Sequence, residues 1–530
     1  MAAQVELYDT TLRDGTQMEG ISLSVEDKLK IARKLDELGV HYIEGGWPGS
    51  NPKDAEFFVR AQSLNLSHAR LAAFGSTRRA KGKVDKDPNI RALIDARTPV
   101  VTLVGKASDM QVRQVLETTL DENLAMISDS IRYLKSHGLT VFLDAEHFFD
   151  GFYSDPRYTI QCLQSAAEAG ADCIIMCDTN GGTTTSHLSE PIKAAMEAVG
   201  TPLGIHAHNA ADLAVANTLA AVEMGVAQVQ GCINGYGDGC GNADMMSIIA
   251  NLKLKMGIDC ISDEQLAKLT EISRYVSEVA NLPPHPRQPY VGTAAFAHKA
   301  GLHVAALVKH EEAYQHIDPA LVGNDRRILV SELAGQRNIQ AKLKEQGVDI
   351  SLSKEEARRL LDVVKLMESR GYQYEGAEAS FELLARRSQP DYQPPFELDD
   401  FMVVERRHPH RGEEDEREML AEAMVKVRVG DEIIHTAAEG NGPVNALDIA
   451  VRKALVQFYP TLEAIKLVDY KVRIIDSAGG TGAYVRVLIE STDGEHVWTT
   501  VGSSTDIIEA SWLALADSLE WWLVRREASR

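Results

Sequence analysis

No stretch of this sequence is apolar for long enough to cross a membrane, and no two of its six cysteines stand at the C-x-x-C spacing of a redox couple or a zinc ribbon. The cysteines (Cys162, Cys173, Cys177, Cys232, Cys240 and Cys260) form no disulfide ladder, so free thiols in a reducing compartment are expected. Cys173 and Cys177 are the pair close enough in sequence to share a metal. Positive charge is also short: 55 Lys and Arg stand against 77 Asp and Glu, a net charge of -22. Such a chain repels a phosphate backbone and an anionic lipid surface alike, which sets aside nucleic acid and membranes as partners. The opening residues MAAQVELYDTT carry neither the basic flank nor the apolar core of a secretory signal, so the expected location is cytoplasmic. A G-x-G-x-x-G fingerprint is missing after the first strand, which argues against a doubly wound sheet.

What is present is an ordinary globular composition, 44% apolar and 25% charged, over 530 residues. That length predicts about two to four domains. From residue 4 to about 257, strand and helix patterns alternate eight times. The strands are VELYDT, HYIEGG, RLAAFG, VVTLVG, TVFLDAE, CIIMCDT, LGIHAH and VAQVQGCI, and the helices between them include SVEDKLKIARKLDELG and the long MQVRQVLETTLDENLAMISDSIRYLKSHG. This is the count of a (β/α)8 barrel, expected over residues 1–275. The proline-rich stretches NLPPHPRQPYVG and RSQPDYQPPFE bracket a helical region, 276–396, with helices expected in KAGLHVAALVKHEEAY and SKEEARRLLDVVKLMESRGY. The charge run RGEEDERE reads as a solvated face. Residues 397–530 look duplicated, three strands and a helix occurring twice, which predicts an α+β module able to hold a small effector or to dimerise.

In such a barrel, chemistry collects where strands end. The polar residues there are Arg13, Asp14, Glu44, Glu146, Asp178, Thr179, His206 and His208, and the glycine-rich GYGDGCGNAD follows strand eight. If strand one ran on through VELYDTTLRD, Arg13 and Asp14 would face opposite sides and would not neutralise one another side by side. His206 and His208, two apart on a strand, face the same way and can converge on one ion. With the Asp14 carboxylate and the Asn242 amide oxygen, they make a two-nitrogen, two-oxygen set that leaves room for a bidentate substrate on an octahedral divalent ion.

The segments YDTTLRDGTQ, HAHN, GYGDGCGNA and HKAGLH together resemble the signatures of the metal-dependent acyl-CoA Claisen condensation family, the DRE-TIM metallolyases that include isopropylmalate, homocitrate and citramalate synthases. Nearly the whole chain takes part, because the duplicated module resembles that family's allosteric domain. The resemblance implies that Asp14, His206, His208 and Asn242 bind a divalent ion, Mn2+ or Mg2+ first and Co2+ or Zn2+ as alternatives, which would act as a Lewis acid on a 2-oxo acid. It implies that Thr179 bonds the substrate carboxylate, with Glu44 and Arg13 also on the substrate, and that Arg13 stabilises oxyanion charge. Glu146 and His303 are implied in acid-base work with Tyr314 beside them. His303 and Tyr314 lie outside the barrel, so the resemblance implies that they complete a partner's site in an obligate homodimer. The family's loop is usually G-x-G-E-R-x-G-N and its H-x-H-N is usually followed by Asp. Here Asp238, a shorter acid, stands for the Glu, Gly239 for the Arg and Ala210 for the Asp, which predicts a looser loop and weaker metal binding or activity.

YIEGGWPGSNPKDAEFF and VTLVGKASDMQV resemble most the citramalate branch, which implies acetyl-CoA and pyruvate as substrates, isoleucine biosynthesis as the setting and isoleucine as effector. Phe74 and Leu103 are expected to wall in the pyruvate methyl, whereas Arg78, Arg79 or Lys106 would suit the second carboxylate of a larger oxo acid. An isopropylmalate or homocitrate synthase is thus one alternative, and a metal-binding amino-acid sensor without turnover is another.

Overall fold

Short runs of β-branched and apolar residues, each followed by an amphipathic helix, build a parallel sheet buried on both faces, either open with helices on each side or closed on itself. In the computed structural model it is closed, and the residues described are 5–307, 309–329, 336–345, 348, 350, 352–406, 420–475, 480 and 482–528. Eight parallel strands form a closed barrel in sequence order: β1 (Glu6–Asp9), β2 (Tyr42–Gly46), β3 (Arg70–Ser76), β4 (Val100–Lys106), β5 (Thr140–Glu146), β6 (Cys173–Asp178), β7 (Leu203–Ala207) and β8 (Gln228–Gly231). Strand β1 pairs with both β2 and β8, which closes the ring. Alternate residues divide into two cores. Leu7, Ile43, Val101, Leu103, Leu143 and Ile174 pack with the outer helices, while Tyr8, Tyr42, Ala72, Val100, Phe142, Cys173, Ile175 and Cys177 fill the interior. Cys173 and Cys177 thus belong to the interior core, and all six cysteines are free thiols.

Local chemistry sets the helix ends. Val25–Leu38 begins at a reciprocal cap between Ser24 and Asp27 and stops at Gly39, whose φ of 89° suits a residue without Cβ. The long helix expected over MQVRQVLETTLDENLAMISDSIRYLKSHG is broken instead. A π-helical turn at Gln111–Val115 gives way to Glu117 in the left-handed region, φ 53°, and Thr119 then caps a new helix, Leu120–Ser136, by accepting from Glu122 N. A threonine that offers the chain a cap outcompetes continuation of the apolar pattern. Likewise, among the described residues of KAGLHVAALVKHEEAY, the α-helix covers Gly301–Leu307 and a separate 3-10 turn stands at Glu311–Ala313.

The chain condenses into two compact units, Met1–Phe296 with His316–Arg326, and Ala297–Gln315 with Arg327–Arg530. In the second unit the expected repeat is present. Strands Glu397–Arg406, Leu420–Val429 and Glu432–Gly440 precede helix Pro443–Leu455, and strands Lys466–Ile474, Val485–Thr492 and Val497–Ser504 precede helix Ile507–Ala528. Each triplet is its own antiparallel sheet. Arg387, at the end of helix Glu378–Arg387, ties the terminal helix through Asp517 and Glu520 at 2.8 and 2.6 Å. The charge run at 411–418 lies outside the described residues.

Strand β1 ends on the buried Asp9, whose two carboxylate oxygens accept from Thr11 N and Thr11 Oγ1, both at 3.0 Å. Thr11 Oγ1 in turn accepts from Ile233 N at 2.8 Å, which joins the turn after β1 to the loop after β8. Burial pushes the Asp9 carboxyl up to about 7. Because the folded state then holds a proton that the unfolded chain releases near pH 4, stability falls as pH rises from about 4 to about 7, by up to about 1.4 kcal/mol per pH unit, and levels off above. Asp9→Asn is expected to flatten that decline in thermal melts between pH 5 and pH 8. An unchanged slope would show that Asp9 ionises in the usual carboxylate range.

Candidate active site

The first question is how Arg13 and Asp14 leave β1. The strand stops at Asp9, residues 10–14 turn, and Asp14 adopts helical angles (φ -68°, ψ -44°) ahead of the 3-10 turn Gly15–Gln17. The bend of the loop thus brings Arg13 round, and the two charges, which an extended strand would hold apart, meet side by side, Arg13 Nη1 lying 2.9 Å from Asp14 Oδ2. Arg13 Nε also donates to Glu44 Oε2 at 2.6 Å, and the guanidinium carbon lies 3.9 Å from the centre of the Phe74 ring. Glu44 is fully buried, accepts a second bond from Tyr8 OH at 2.8 Å, and does not line the cavity described below.

The strand-end imidazoles converge on the same carboxylate. His206 Nε2 and His208 Nε2 are 3.5 and 3.7 Å from Asp14 Oδ2, and one ligand atom from each of the three residues lies within 4.8 Å of the others. The far ring nitrogens are fixed by acceptors. His206 Nδ1 donates to Gln230 Oε1 at 2.9 Å and His208 Nδ1 donates to Thr179 O at 2.6 Å, which turns both Nε2 lone pairs toward Asp14. Gln230 Nε2 is itself held by Asp144 Oδ1 at 3.3 Å. Burial opposes ionisation of Asp14, yet Arg13 and the two imidazoles hold its carboxyl well below the usual carboxylate range. For His206, burial works against the proton, but contact with Asp14 outweighs it and raises the imidazole. Asp144 is raised to about 7 by burial and by the charge of Glu44.

Asn242 closes the group from the loop after β8. It forms an isolated antiparallel bridge with His208, its Nδ2 donates to Tyr236 O at 3.1 Å, and its Oδ1 is a buried acceptor without a hydrogen-bond partner. Glycines make this placement possible: a Cβ on Gly237 (φ 153°) would stand 2.3 Å from Asn242 Nδ2, and one on Gly241 (φ 82°) 2.0 Å from Gly235 O. Asp14, His206 and His208 bring two imidazole nitrogens and a carboxylate together in a way that could hold a divalent ion, and the Asn242 amide oxygen is buried without a partner.

A cavity of about 820 Å³ opens over these residues. Thr179 lines it; its Oγ1 accepts from His147 N at 2.8 Å, leaving the hydroxyl hydrogen for a guest. Glu146 lines it too, with Lys106, its ladder neighbour on β4, making an ion pair to Oε2 that lacks the alignment of a hydrogen bond. Of the expected apolar wall, Phe74 is present, but Leu103 faces the outer helices and the adjacent Val104 takes its place. A strand buried on both faces is apolar throughout, so its pattern does not say which residue points inward. Trp47 packs edge-on against Phe74, with ring centres 5.4 Å apart. Arg78 is buried and spends its guanidinium on Glu122 and Asp129, at 2.7 and 2.9 Å. His303 and Tyr314 belong to the second unit, where their rings stack at 4.2 Å.

Three groups escaped the sequence reading: Gln230, Asp144 and the pairing of Lys106 with Glu146. The signal for the first two was faint but present. Gln228 and Gln230 alternate in a strand that should be apolar, and Asp144 sits two residues before Glu146, on the same face.

Family comparisons agree with this arrangement. Residues 4–276 match the HMGL-like family, residues 290–371 the homocitrate synthase post-HMGL domain-like family, and residues 375–523 the LeuA allosteric (dimerisation) domain. The chain is 53% identical over 524 residues to an (R)-citramalate synthase of Geobacter sulfurreducens, covering 99% of this chain and 98% of that protein. An (R)-citramalate synthase of Aquifex aeolicus is 50% identical, with 99% of each chain covered. A 2-isopropylmalate synthase of Methanocaldococcus jannaschii is 32% identical over 99% of this chain and 96% of its own length. With an HMGL-like barrel followed by a LeuA domain and such identity over nearly its whole length, the chain belongs to the (R)-citramalate synthase family.

Proposed function

We propose that the protein condenses acetyl-CoA with pyruvate and hydrolyses the thioester, giving (R)-citramalate and coenzyme A. The observation that carries this reading is the grouping of Asp14, His206, His208 and the unpaired Asn242 oxygen beside a cavity with an apolar wall. A second carboxylate, as in 2-oxoglutarate, would need a free cation near the substrate. Arg78 is held by two acids and Lys106 by Glu146, which among the described residues leaves the exposed Arg79 as the cation without an ion pair in that lining, while Trp47, Phe74 and Val104 offer an apolar wall to a methyl group. These contacts favour pyruvate over the larger acids of isopropylmalate or homocitrate synthesis, and an intact Arg13–Asp14–Glu44 network favours turnover over a sensor.

In this reading Asp14, His206, His208 and Asn242 hold a divalent ion, Mn2+ or Mg2+ by preference. When bound, it supplies Lewis-acid polarisation of the 2-oxo acid. Thr179 donates its hydroxyl to the substrate carboxylate, and Arg13, oriented by Glu44, stabilises oxyanion charge. Glu146 takes part in moving the proton off the thioester methyl. His303 and Tyr314, stacked on one another, serve the barrel of a partner in a homodimer. The duplicated α+β module binds isoleucine. Residues 1–275, 276–396 and 397–530 correspond to catalysis, site completion and regulation.

Thiol release from acetyl-CoA, measured across a panel of 2-oxo acids, tests the reading. Release should be greatest with pyruvate and should fall when isoleucine, but not leucine, is added. Preference for 2-oxoglutarate or 3-methyl-2-oxobutanoate would name a different synthase, and no release with any acid would leave the sensor. Asp14→Asn is expected to abolish metal-dependent release; undiminished turnover would refute the ligand assignment. Gln230→Leu, which removes the acceptor that orients His206, should weaken Mn2+ binding in calorimetry by about 10- to 100-fold. Gln230→Glu, which keeps an acceptor, should retain most of it.

A further inference from the structure

A three-carbon oxo acid fills a small part of the 820 Å³ cavity. Its ligand end is at Asp14 and His208, and the cavity extends past Phe74 along the segment after β3, Ser76–Ala80, toward Leu116 and Met126. Beyond Ala80 the same loop continues as K-G-K-V-D-K, so the cavity wall leads directly to a run of cations. Five basic residues, Arg78, Arg79, Lys81, Lys83 and Lys86, fall within nine positions of a chain whose net charge is -22. Arg78 is buried and neutralised. Arg79, Lys81, Lys83 and Lys86 are exposed, and none of them is in an ion pair among the described residues. Of the loop's acids, Asp87 is turned inward, accepting from Arg79 N, Asn89 N and Ile90 N, which leaves Asp85 as an exposed counter-charge.

The loop is held in shape. Arg78 N donates to Ser130 Oγ at 2.9 Å, Gly82 N to Arg79 O at 3.0 Å, and Lys81 N to Glu122 Oε1 at 2.6 Å. Lys81 sits in left-handed backbone, φ 59°, where a glycine would be unstrained, although Gly82 is its neighbour. A lysine kept in such a position, with its amide anchored by an acid and its ammonium in water, fits a requirement for charge at that point.

We propose that Arg79, Lys81, Lys83 and Lys86 form the binding site for the phosphorylated nucleotide end of coenzyme A, while its pantetheine arm lies along Phe74 and Ser76–Ala80 toward the reacting centre. The assignment rests on the acetyl-CoA reading above. The 3′-phosphomonoester carries about -1.5 to -2 charge and the diphosphate adds to it, which suits lysines acting as point charges on a preformed loop. Attraction at an exposed site of this kind weakens with ionic strength.

The test is the variant K81Q/K83Q/K86Q in the full chain, which spares the cavity-lining Arg79, compared with the parent on acetyl-CoA and on S-acetylpantetheine, which lacks the nucleotide. The KM for acetyl-CoA should rise about tenfold as three exposed charge contacts are lost, with kcat unchanged, and the parent's steep rise of KM with salt should flatten. The kcat/KM for S-acetylpantetheine should stay the same. An unchanged KM for acetyl-CoA, or an equal loss with both thioesters, would overturn the proposal, the latter because it would mean that the loop merely shapes the cavity. If the parent turns over neither thioester, the condensation reading has failed, and calorimetry with coenzyme A alone decides the loop: weaker binding by the variant upholds it, and equal or absent binding overturns it.

Discussion

One carboxylate oxygen organises the barrel rim. Asp14 Oδ2 lies 2.9 Å from the Arg13 guanidinium and 3.5 and 3.7 Å from two imidazole nitrogens, in a side chain that is 5% exposed. A bare charge so buried is costly unless neighbours compensate it. Each neighbour is held in turn from behind, Arg13 by Glu44, His206 by Gln230 and His208 by Thr179 O. The cluster and its supports together come from five strands, β1, β2, β6, β7 and β8, so the geometry depends on closure of the whole barrel rather than on any local motif.

Those supports change the character of the interior. Lower in the barrel the inward residues are mostly apolar and aromatic, with Tyr8, Tyr42 and Phe142 rings in mutual contact and the buried Gln228 as a polar member. Above them lies a polar layer of Glu44, Thr102, Asp144 and Gln230, all buried. Tyr8 joins the layers, its hydroxyl donating to Glu44 at 2.8 Å and lying 2.6 Å from Thr102 Oγ1. Burial and the nearby Glu44 and Asp144 push that phenol well above its ordinary range, so it stays a donor. An apolar layer would pack as well and cost less, so the acids here are retained for what they orient.

The parts legible in the sequence were those written as a period or a strong local pattern. Eight βα repeats announced the barrel, and His206-Ala207-His208 at a strand end announced two imidazoles turned the same way. What stayed hidden depended on turn geometry or on strand orientation. The pairing of Arg13 with Asp14 requires the helical angles of Asp14, which no alternation pattern encodes. Val104 rather than Leu103 faces the cavity because β4 is apolar on both sides and carries no marker of its phase. Gln230 and Asp144 were overlooked because single polar residues in a strand usually read as noise. The break at Glu117 lay in a segment whose apolar spacing continued across it.

The departures from the family's loop pattern can be weighed by what anchors Asn242. The position depends on Gly237 and Gly241, where any Cβ would collide, on Asn242 N donating to Gly235 O at 3.1 Å and on the bridge to His208. None of these contacts involves the side chain of residue 238 or 239. A Cβ on Gly239 would meet nothing within 4 Å, and Asp238 is exposed, so both departures fall at the loop tip. Ala210 follows a segment whose backbone is tied without it: His208 N donates to Asp178 O, Asn209 N to Gly241 O and Ala211 N to Gly181 O, at 3.2, 2.8 and 2.9 Å. The missing side chains therefore leave the placement of Asn242 and His208 intact. What they change is the charge at the cavity mouth, where an Arg and an Asp of the usual pattern are replaced by Gly239 and Ala210 while Asp238 keeps the acid.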